Sequence, residues 1–225
     1  MTPRHKFDSN LIPERPDLTH EQQLWQQGFI HIAGVDEAGR GALAGPVAAG
    51  AVILPSDQPD LMEQLSGVRD SKVMTAANRK KWAGVIKSAA VSWAVGMVEA
   101  DEIDQIGILP ATCLAAARAL DSLAVTPDHI LVDYLTLPDV QSPQTPLVKG
   151  DARSLSIAAA AILAKTTRDA VMVELDQQYP GYGFAQNKGY GTRRHRQGLR
   201  DQGICPQHRR TFEPVMVYEA LFPPM

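Results

Sequence analysis

The sequence predicts an α/β fold in which a central mixed β-sheet is flanked by helices and followed by a basic, helical C-terminal segment. Three observations carry that prediction. Ile30, Ile32 and Gly34 alternate with His31, Ala33 and Val35, and Val47 to Leu54 is rich in small and β-branched residues, so both stretches read as strands. Ser154 to Gln178 carries the longest helical pattern in the chain. Three strands with a helix among them, then a strand and a helix again, is the order of a mixed sheet covered by helices.

Taken in order, residues 1–18 are polar and interrupted by proline, and read as a loose tail. Thr19-His20-Glu21-Gln22 is a capping-box sequence that opens a short helix ending at Gly28. The first strand, from Ile30, should stop at the turn Asp36-Glu37-Ala38-Gly39-Arg40-Gly41, and the second, Val47 to Leu54, should pair with it as a hairpin. Thr75 begins a helical stretch through Ala90, and Val91 to Val98 is a third strand. Ile103 to Leu123, rich in alanine and leucine, reads as a helix kinked or delayed at Pro110. His129-Ile130-Leu131-Val132-Asp133 is a short apolar strand ending in an acid. Pro138 to Pro146 reads as a loop, Leu147-Val148 as a brief fifth strand. In the long helix, Ile157, Ala158, Ala160, Ala161, Ile162 and Ala164 give a small-residue face for close packing on a sheet. Beyond Tyr179 the chain is irregular and basic, with one further helix over Arg193 to Gln202.

Bulk properties narrow the class. A chain of 225 residues, 44% hydrophobic and 21% charged, suits an ordinary globular protein with one substantial core. Its two cysteines, Cys113 and Cys205, lack any zinc-binding or CxxC neighbourhood and read as free thiols of a reducing, cytoplasmic setting. No apolar signal core opens the chain, and the uncharged run from Gly41 to Pro55 is too short and too broken to cross a membrane. A monomer is expected. The net charge of −3 conceals an uneven distribution. Between Gln186 and Arg210 stand Lys188, Arg193, Arg194, Arg196, Arg200, Arg209 and Arg210 against a single acid, Asp201, as on a face that binds a phosphate backbone.

Asp36, Glu37, Asp133 and Asp151 each fall at or just past the end of an apolar strand, where α/β proteins place their sites. Two carboxylates about 4 Å apart repel by roughly 4 kcal/mol at an effective dielectric near 20, so four together require cations. Oxygen-only ligation suits Mg²⁺ or Mn²⁺, and four negative charges balance two such ions, the apparatus of in-line attack on a phosphodiester. Neighbouring strand residues point to opposite faces, so Asp36 and Glu37 both ligate only if the strand ends or bulges there. The segment Gly39 to Ala44 formally fits a GxGxxA dinucleotide fingerprint, but the stretch after Pro46 is strand and not helix, and two preceding acids would repel a diphosphate. A loop whose small residues admit a sugar-phosphate, with Arg40 beside it, is the better reading.

Gly34–Val47, Asp70-Ser71-Lys72, Leu131–Asp133, Lys149–Asp169, Tyr182–Thr192 and His208–Val215 together, and in this order, resemble the bacterial ribonuclease HII family. The resemblance covers about residues 29–216, taken as the catalytic domain, and leaves residues 1–28 as an N-terminal extension and 217–225 as a tail. It implies a ribonuclease H-like fold and cleavage of RNA in RNA/DNA hybrids, with nicking of duplex DNA 5′ of a lone ribonucleotide, using Mg²⁺ or Mn²⁺. Carried over by position, the metal-binding acids fall on Asp36, Glu37, Asp133 and Asp151, the 2′-hydroxyl-reading loop on Gly39, Arg40 and Gly41, and the substrate-sensing tyrosine on Tyr190. Lys188, Arg193 and Arg194 are expected to hold phosphates. Three departures stand out: Tyr134 where the family usually has glycine, Ala161 for serine and Gly191 for proline.

The expected mechanism is attack by a metal-activated water, leaving 5′-phosphate and 3′-hydroxyl ends. Two rivals make different predictions. Metal-independent cleavage by His195 and His208 leaves cyclic phosphates and ignores chelators. A non-catalytic nucleic-acid-binding module would gain by shedding the acids. A turn held by local hydrogen bonds accounts for Asp70-Ser71-Lys72 as well as a substrate contact does, and the three stay outside the catalytic set.

Overall fold

The computed structural model describes residues 7–8 and 12–221, with side chains to residue 218, so most of the expected N-terminal tail lies outside the described residues. Five strands form one mixed sheet: β1 (Ile32–Ala38), β2 (Val47–Ile53), β3 (Ser92–Val98), β4 (His129–Asp133) and β5 (Gln144–Leu147), in the order β3-β2-β1-β4-β5. β1, β2 and β3 are antiparallel neighbours, whereas β4 and β5 run parallel to β1.

β1 runs further than its sequence pattern predicts. It does not stop before the acids; Asp36, Glu37 and Ala38 stay in register with Gly50, Ala49 and Ala48 of β2. Periodicity missed this because a polar pair inside a strand is stabilised by ladder partners far away in sequence. The hairpin partner β2 is buried along its whole length.

Helix α6 (Leu155–Gln178) lies across one face of the sheet and is buried on all sides from Leu155 to Ala164, because α3 (Ala76–Ala89) and neighbouring segments cover its outer side. The close approach depends on glycine. A Cβ at Gly34 would collide with the Ser156 backbone, and one at Gly50 with the Ala160 carbonyl. The opposite face packs on α4 (Ala100–Ile106) and α5 (Ile108–Asp121). These replace the single expected helix. The break falls at Gly107, φ +83°, and not at Pro110, which sits in the first turn of α5, where its missing N–H costs nothing. Thr75 and Ser154 cap α3 and α6 by accepting from Asn78 N and Ile157 N. β5 begins at Gln144, inside the expected proline loop, because an edge strand tolerates Pro146.

Helix α1 (Thr19–Gln26) starts without the predicted capping box: Leu18 is its N-cap, and the Thr19 N–H donates to Asp17 Oδ1. It is docked on the domain. Glu21, fully buried, accepts from the hydroxyls of Ser154 and Ser156 and from the Ser156 N–H. Short helices α2 (Leu61–Gln64) and α7 (Phe184–Asn187) were not visible in the sequence pattern, whereas α8 (Arg193–Gln202) has the expected bounds. A last helix, α9 (Glu213–Leu221), crosses the boundary expected at residue 216, anchored by the buried Val215.

Candidate active site

The parallel register that pairs Ile32 with His129 and Val35 with Val132, continued one step, sets Asp36 beside Asp133 at the carboxyl ends of two central strands. Both point to the α6 face, the side on which Gly34 and Leu131 meet Ile157. Asp151 reaches them from a single 3₁₀ turn, Gly150–Ala152, between β5 and α6. That turn is tied to β4, since Gly150 N–H donates to Asp133 Oδ1 at 2.7 Å, and a Cβ at Gly150 would press on the Ile157 side chain. Carboxylate oxygens of Asp36, Asp133 and Asp151 all lie within 4.8 Å of one another.

Glu37 is not in this group. With no bulge in β1 it points to the opposite face, where its Oε1 lies 3.4 Å from Arg40 Nη1. The four expected ligands therefore separate into a cluster of three and a neighbour close enough to be felt electrostatically.

The cluster carries more negative charge than its surroundings neutralise. Burial first, then the charges of Glu37, Asp133 and Asp151, push the Asp36 carboxyl well above the usual range. Asp133 is raised to about 6, chiefly by burial, with Asp151 and Glu37 adding to it and the Gly150 hydrogen bond and Lys72 opposing. Lys72 is a cation that local sequence pattern does not connect to the acids: its Nζ donates to Asp151 Oδ2 at 2.6 Å. Burial alone would lower the Lys72 ammonium, but the hydrogen bond to Asp151 and the charges of Asp151, Asp36 and Asp70 outweigh it and raise its pKa. A 79-residue separation hid this contact. Its turn is local, as expected, with Lys72 N–H donating to Asp70 Oδ1.

An oxygen-only, anionic, partly desolvated cluster fits a hard divalent cation, which predicts a pH-dependent metal response. Carboxyls raised in the folded protein hold protons that the unfolded chain has released, so the metal-free protein loses stability from these groups as pH rises from about 4 through about 6. A cation relieves that penalty only once the protons are gone. Millimolar Mn²⁺ should therefore raise the melting temperature by roughly 5–10 °C at pH 8, taking ~100-fold excess over Kd, and by much less at pH 5. Thermal denaturation at both pH values, with and without Mn²⁺, reads this directly; equal shifts would count against a carboxylate metal centre.

Beside the cluster, Gly39, Arg40 and Gly41 open a loop that runs to Pro46. Two fully buried arginines hold it. Arg168 donates to the carbonyls of Pro46 (2.7 Å), Ala44 (3.2 Å) and Lys188 (2.9 Å), and Arg209 to those of Gly45 and Arg40. Gly39, φ +89°, is required because a Cβ there would run into the Arg168 guanidinium. Burial pushes Arg209 down to about 9, so it stays charged at neutral pH. Arg209 is thus an internal strut and not part of the basic face counted in the sequence.

The same loop meets the C-terminal segment: Leu43 N–H donates to the Gly189 carbonyl and Gly45 N–H to that of Gln207. Tyr190 is half-exposed over Lys165 and Arg168, with cation-to-ring distances of 5.9 and 5.8 Å. Lys188 is partly buried, with its Nζ turned to the Ala185 carbonyl, so as placed it braces its own loop. Arg193 and Arg194 are exposed at the start of α8, Arg194 donating to Gln186 Oε1.

His195 and His208 are not available as acid and base. Both are buried and lie with their Nε2 atoms 3.0 Å apart. One proton on each ring satisfies a directional chain: Cys205 N–H donates to His208 Nδ1, His208 Nε2–H to His195 Nε2, and His195 Nδ1–H to the Tyr190 carbonyl. Burial lowers both, His208 to about 4, so the pair is neutral and structural.

Comparison with known proteins places this geometry. Residues 33–215 match the family model described as Ribonuclease HII. The chain is 55% identical over 199 residues to the ribonuclease HII of Myxococcus xanthus, covering 88% of this chain and 66% of that protein, just under two thirds of its length. It is 53% identical to that of Moorella thermoacetica, covering 86% and 91% of the two chains. The ribonuclease H2 of Pyrococcus horikoshii superposes with a TM-score of 0.72 at 29% identity, over 86% of this chain and 99% of that one. Bst-RNase HIII in complex with Mn²⁺ shares the fold, with a TM-score of 0.63 at 21% identity, over 88% and 71%.

Proposed function

The chain belongs to the ribonuclease HII family, and from that we propose that it hydrolyses the RNA strand of RNA/DNA hybrids and nicks duplex DNA 5′ of a single ribonucleotide, at a centre formed by Asp36, Asp133 and Asp151 with Glu37. The observation that carries this reading is the meeting of three acids from three separate segments, in surroundings that leave them short of counter-charge. Asp36, Asp133 and Asp151 would hold Mg²⁺ or Mn²⁺, and Glu37, felt by both Asp36 and Asp133 from the other strand face, is the fourth carboxylate that a second ion would draw on. When bound, such ions supply Lewis acidity that makes water a nucleophile at neutral pH and stabilises the departing 3′-oxygen.

The rest is the work of the chain. The Gly150 N–H fixes one Asp133 oxygen, so the carboxylate is aimed before substrate arrives. The braced 39–46 loop presents Gly41, beside which a Cβ would meet nothing, as an open backbone surface for a ribose, and Arg40 beside it for a phosphate. Tyr190, on its arginine and lysine support, offers a face to a sugar or base. Arg193 and Arg194 hold the flanking backbone. The 2′-hydroxyl is the recognition handle and not the nucleophile. No helix among the described residues is long and apolar enough to cross a membrane.

The test is a duplex carrying one ribonucleotide, and a full hybrid, incubated with Mg²⁺, Mn²⁺ or EDTA. Metal-dependent scission giving 5′-phosphate and 3′-hydroxyl ends is expected. Scission surviving EDTA, or cyclic phosphate ends, would refute the metal-centred reading; tight binding without scission would favour the non-catalytic module.

A further inference from the structure

One exposed aromatic next to the acids is held in a backbone conformation that its side chain disfavours. Tyr134 follows Asp133 directly, has φ +60°, and is 69% exposed. Its backbone is fixed on both sides. Leu135 N–H donates to the Asp133 carbonyl at 2.7 Å across it, closing a three-residue γ-type turn of the uncommon positive-φ kind, and its own N–H donates to the Leu147 carbonyl of β5. Its phenol makes no hydrogen bond or ring contact among the described residues. The side chain therefore repays none of the backbone strain within the fold. A left-handed position beside an active centre is ordinarily glycine, because glycine bears no Cβ penalty there. A large aromatic at this position, strained, exposed and unpartnered, is accounted for if the partner arrives from outside.

We propose that Tyr134 is a substrate-stacking residue, a second aromatic platform that receives a base or sugar of the nucleic acid on the β4–β5 flank of the carboxylates. Tyr190 occupies the other flank, tied through Gly189 to the 39–46 loop. Two faces on either side of the acids grip a strand across the scissile phosphodiester, and the added contact is tolerant of sequence because every base has a π face. The inference rests on the nucleic-acid-cleaving function proposed above.

The stability and binding effects have opposite signs, which makes the test specific. In the full chain, Tyr134→Gly removes both the ring and the strain, whereas Tyr134→Phe keeps both. Tyr134→Gly should melt at the same temperature as the parent or higher, and should raise KM for the single-ribonucleotide duplex ~10-fold with kcat within about twofold. Tyr134→Phe should match the parent in KM. Fluorescence anisotropy of a labelled duplex in Ca²⁺ gives the affinity without turnover and should show the same ~10-fold loss for the glycine variant. A glycine variant that binds like the parent overturns the proposal, as does one that loses affinity only together with melting temperature. A parent protein that neither binds nor cleaves the duplex overturns instead the function on which the proposal stands.

Discussion

Replacing Asp36 by asparagine should abolish cleavage and at the same time make the metal-free protein more stable. The activity loss should be ~10³-fold or more, because the centre loses one of three converging ligands and metal ions contribute several kcal/mol to phosphoryl transition states. The stability gain has the opposite origin. Asp36 is buried and lies among Glu37, Asp133 and Asp151, and its carboxyl is raised because ionising it there is unfavourable. An amide of the same shape removes that repulsion and can still accept from the Glu37 N–H, which donates to Asp36 Oδ1 at 2.7 Å. Thermal denaturation above neutral pH should show a gain of a few degrees, roughly the effect of 1–2 kcal/mol, and the Mn²⁺-induced shift should collapse. A variant that is inactive and also less stable would mean that Asp36 serves the fold and not the metal.

That opposition of signs also explains what could be read from the sequence. The strand ending in Asp133 and the helix over Arg193–Gln202 were legible because their local sequence pattern agrees with the tertiary structure. The acids were legible as a group because in the sequence each falls at or just past the end of an apolar run. Their division was not: whether Glu37 turns toward or away from Asp36 depends on β1 continuing against β2, a matter of ladder partners and not of local pattern. Lys72 was invisible for the same reason, since its turn is local while its partner Asp151 is distant. Composition misled most at the buried cations. A basic count treats Arg209 as surface charge, although its guanidinium lies inside the molecule among backbone carbonyls. Glu21 is the acidic counterpart, a charge in the presumed extension that is buried against the start of α6.

Arg168 is where burying a charge should cost most if the side chain is removed. Its guanidinium has no carboxylate hydrogen-bond partner among the described residues; its acceptors are three carbonyls drawn from the two segments that carry the proposed substrate contacts, Ala44 and Pro46 on one side and Lys188 on the other. Arg168→Ala strands those carbonyls in a site closed to water, at about 1–3 kcal/mol each, and leaves a cavity beneath Gly39 and Tyr190. A total loss of ~4 kcal/mol or more is expected, seen as a fall of roughly 8–16 °C in melting temperature. Arg168→Lys should recover only part, because an ammonium cannot reproduce the planar fork that serves three acceptors. The two segments should also uncouple, so that Arg168→Lys, assayed well below its melting temperature, shows a raised KM for nucleic acid while the Mn²⁺-induced thermal shift is retained, since the carboxylates are held by the sheet and by Gly150. Loss of the metal response along with KM would show that the loop and the carboxylate cluster form one cooperative unit, and the separation drawn between gripping the strand and cutting it would then fail.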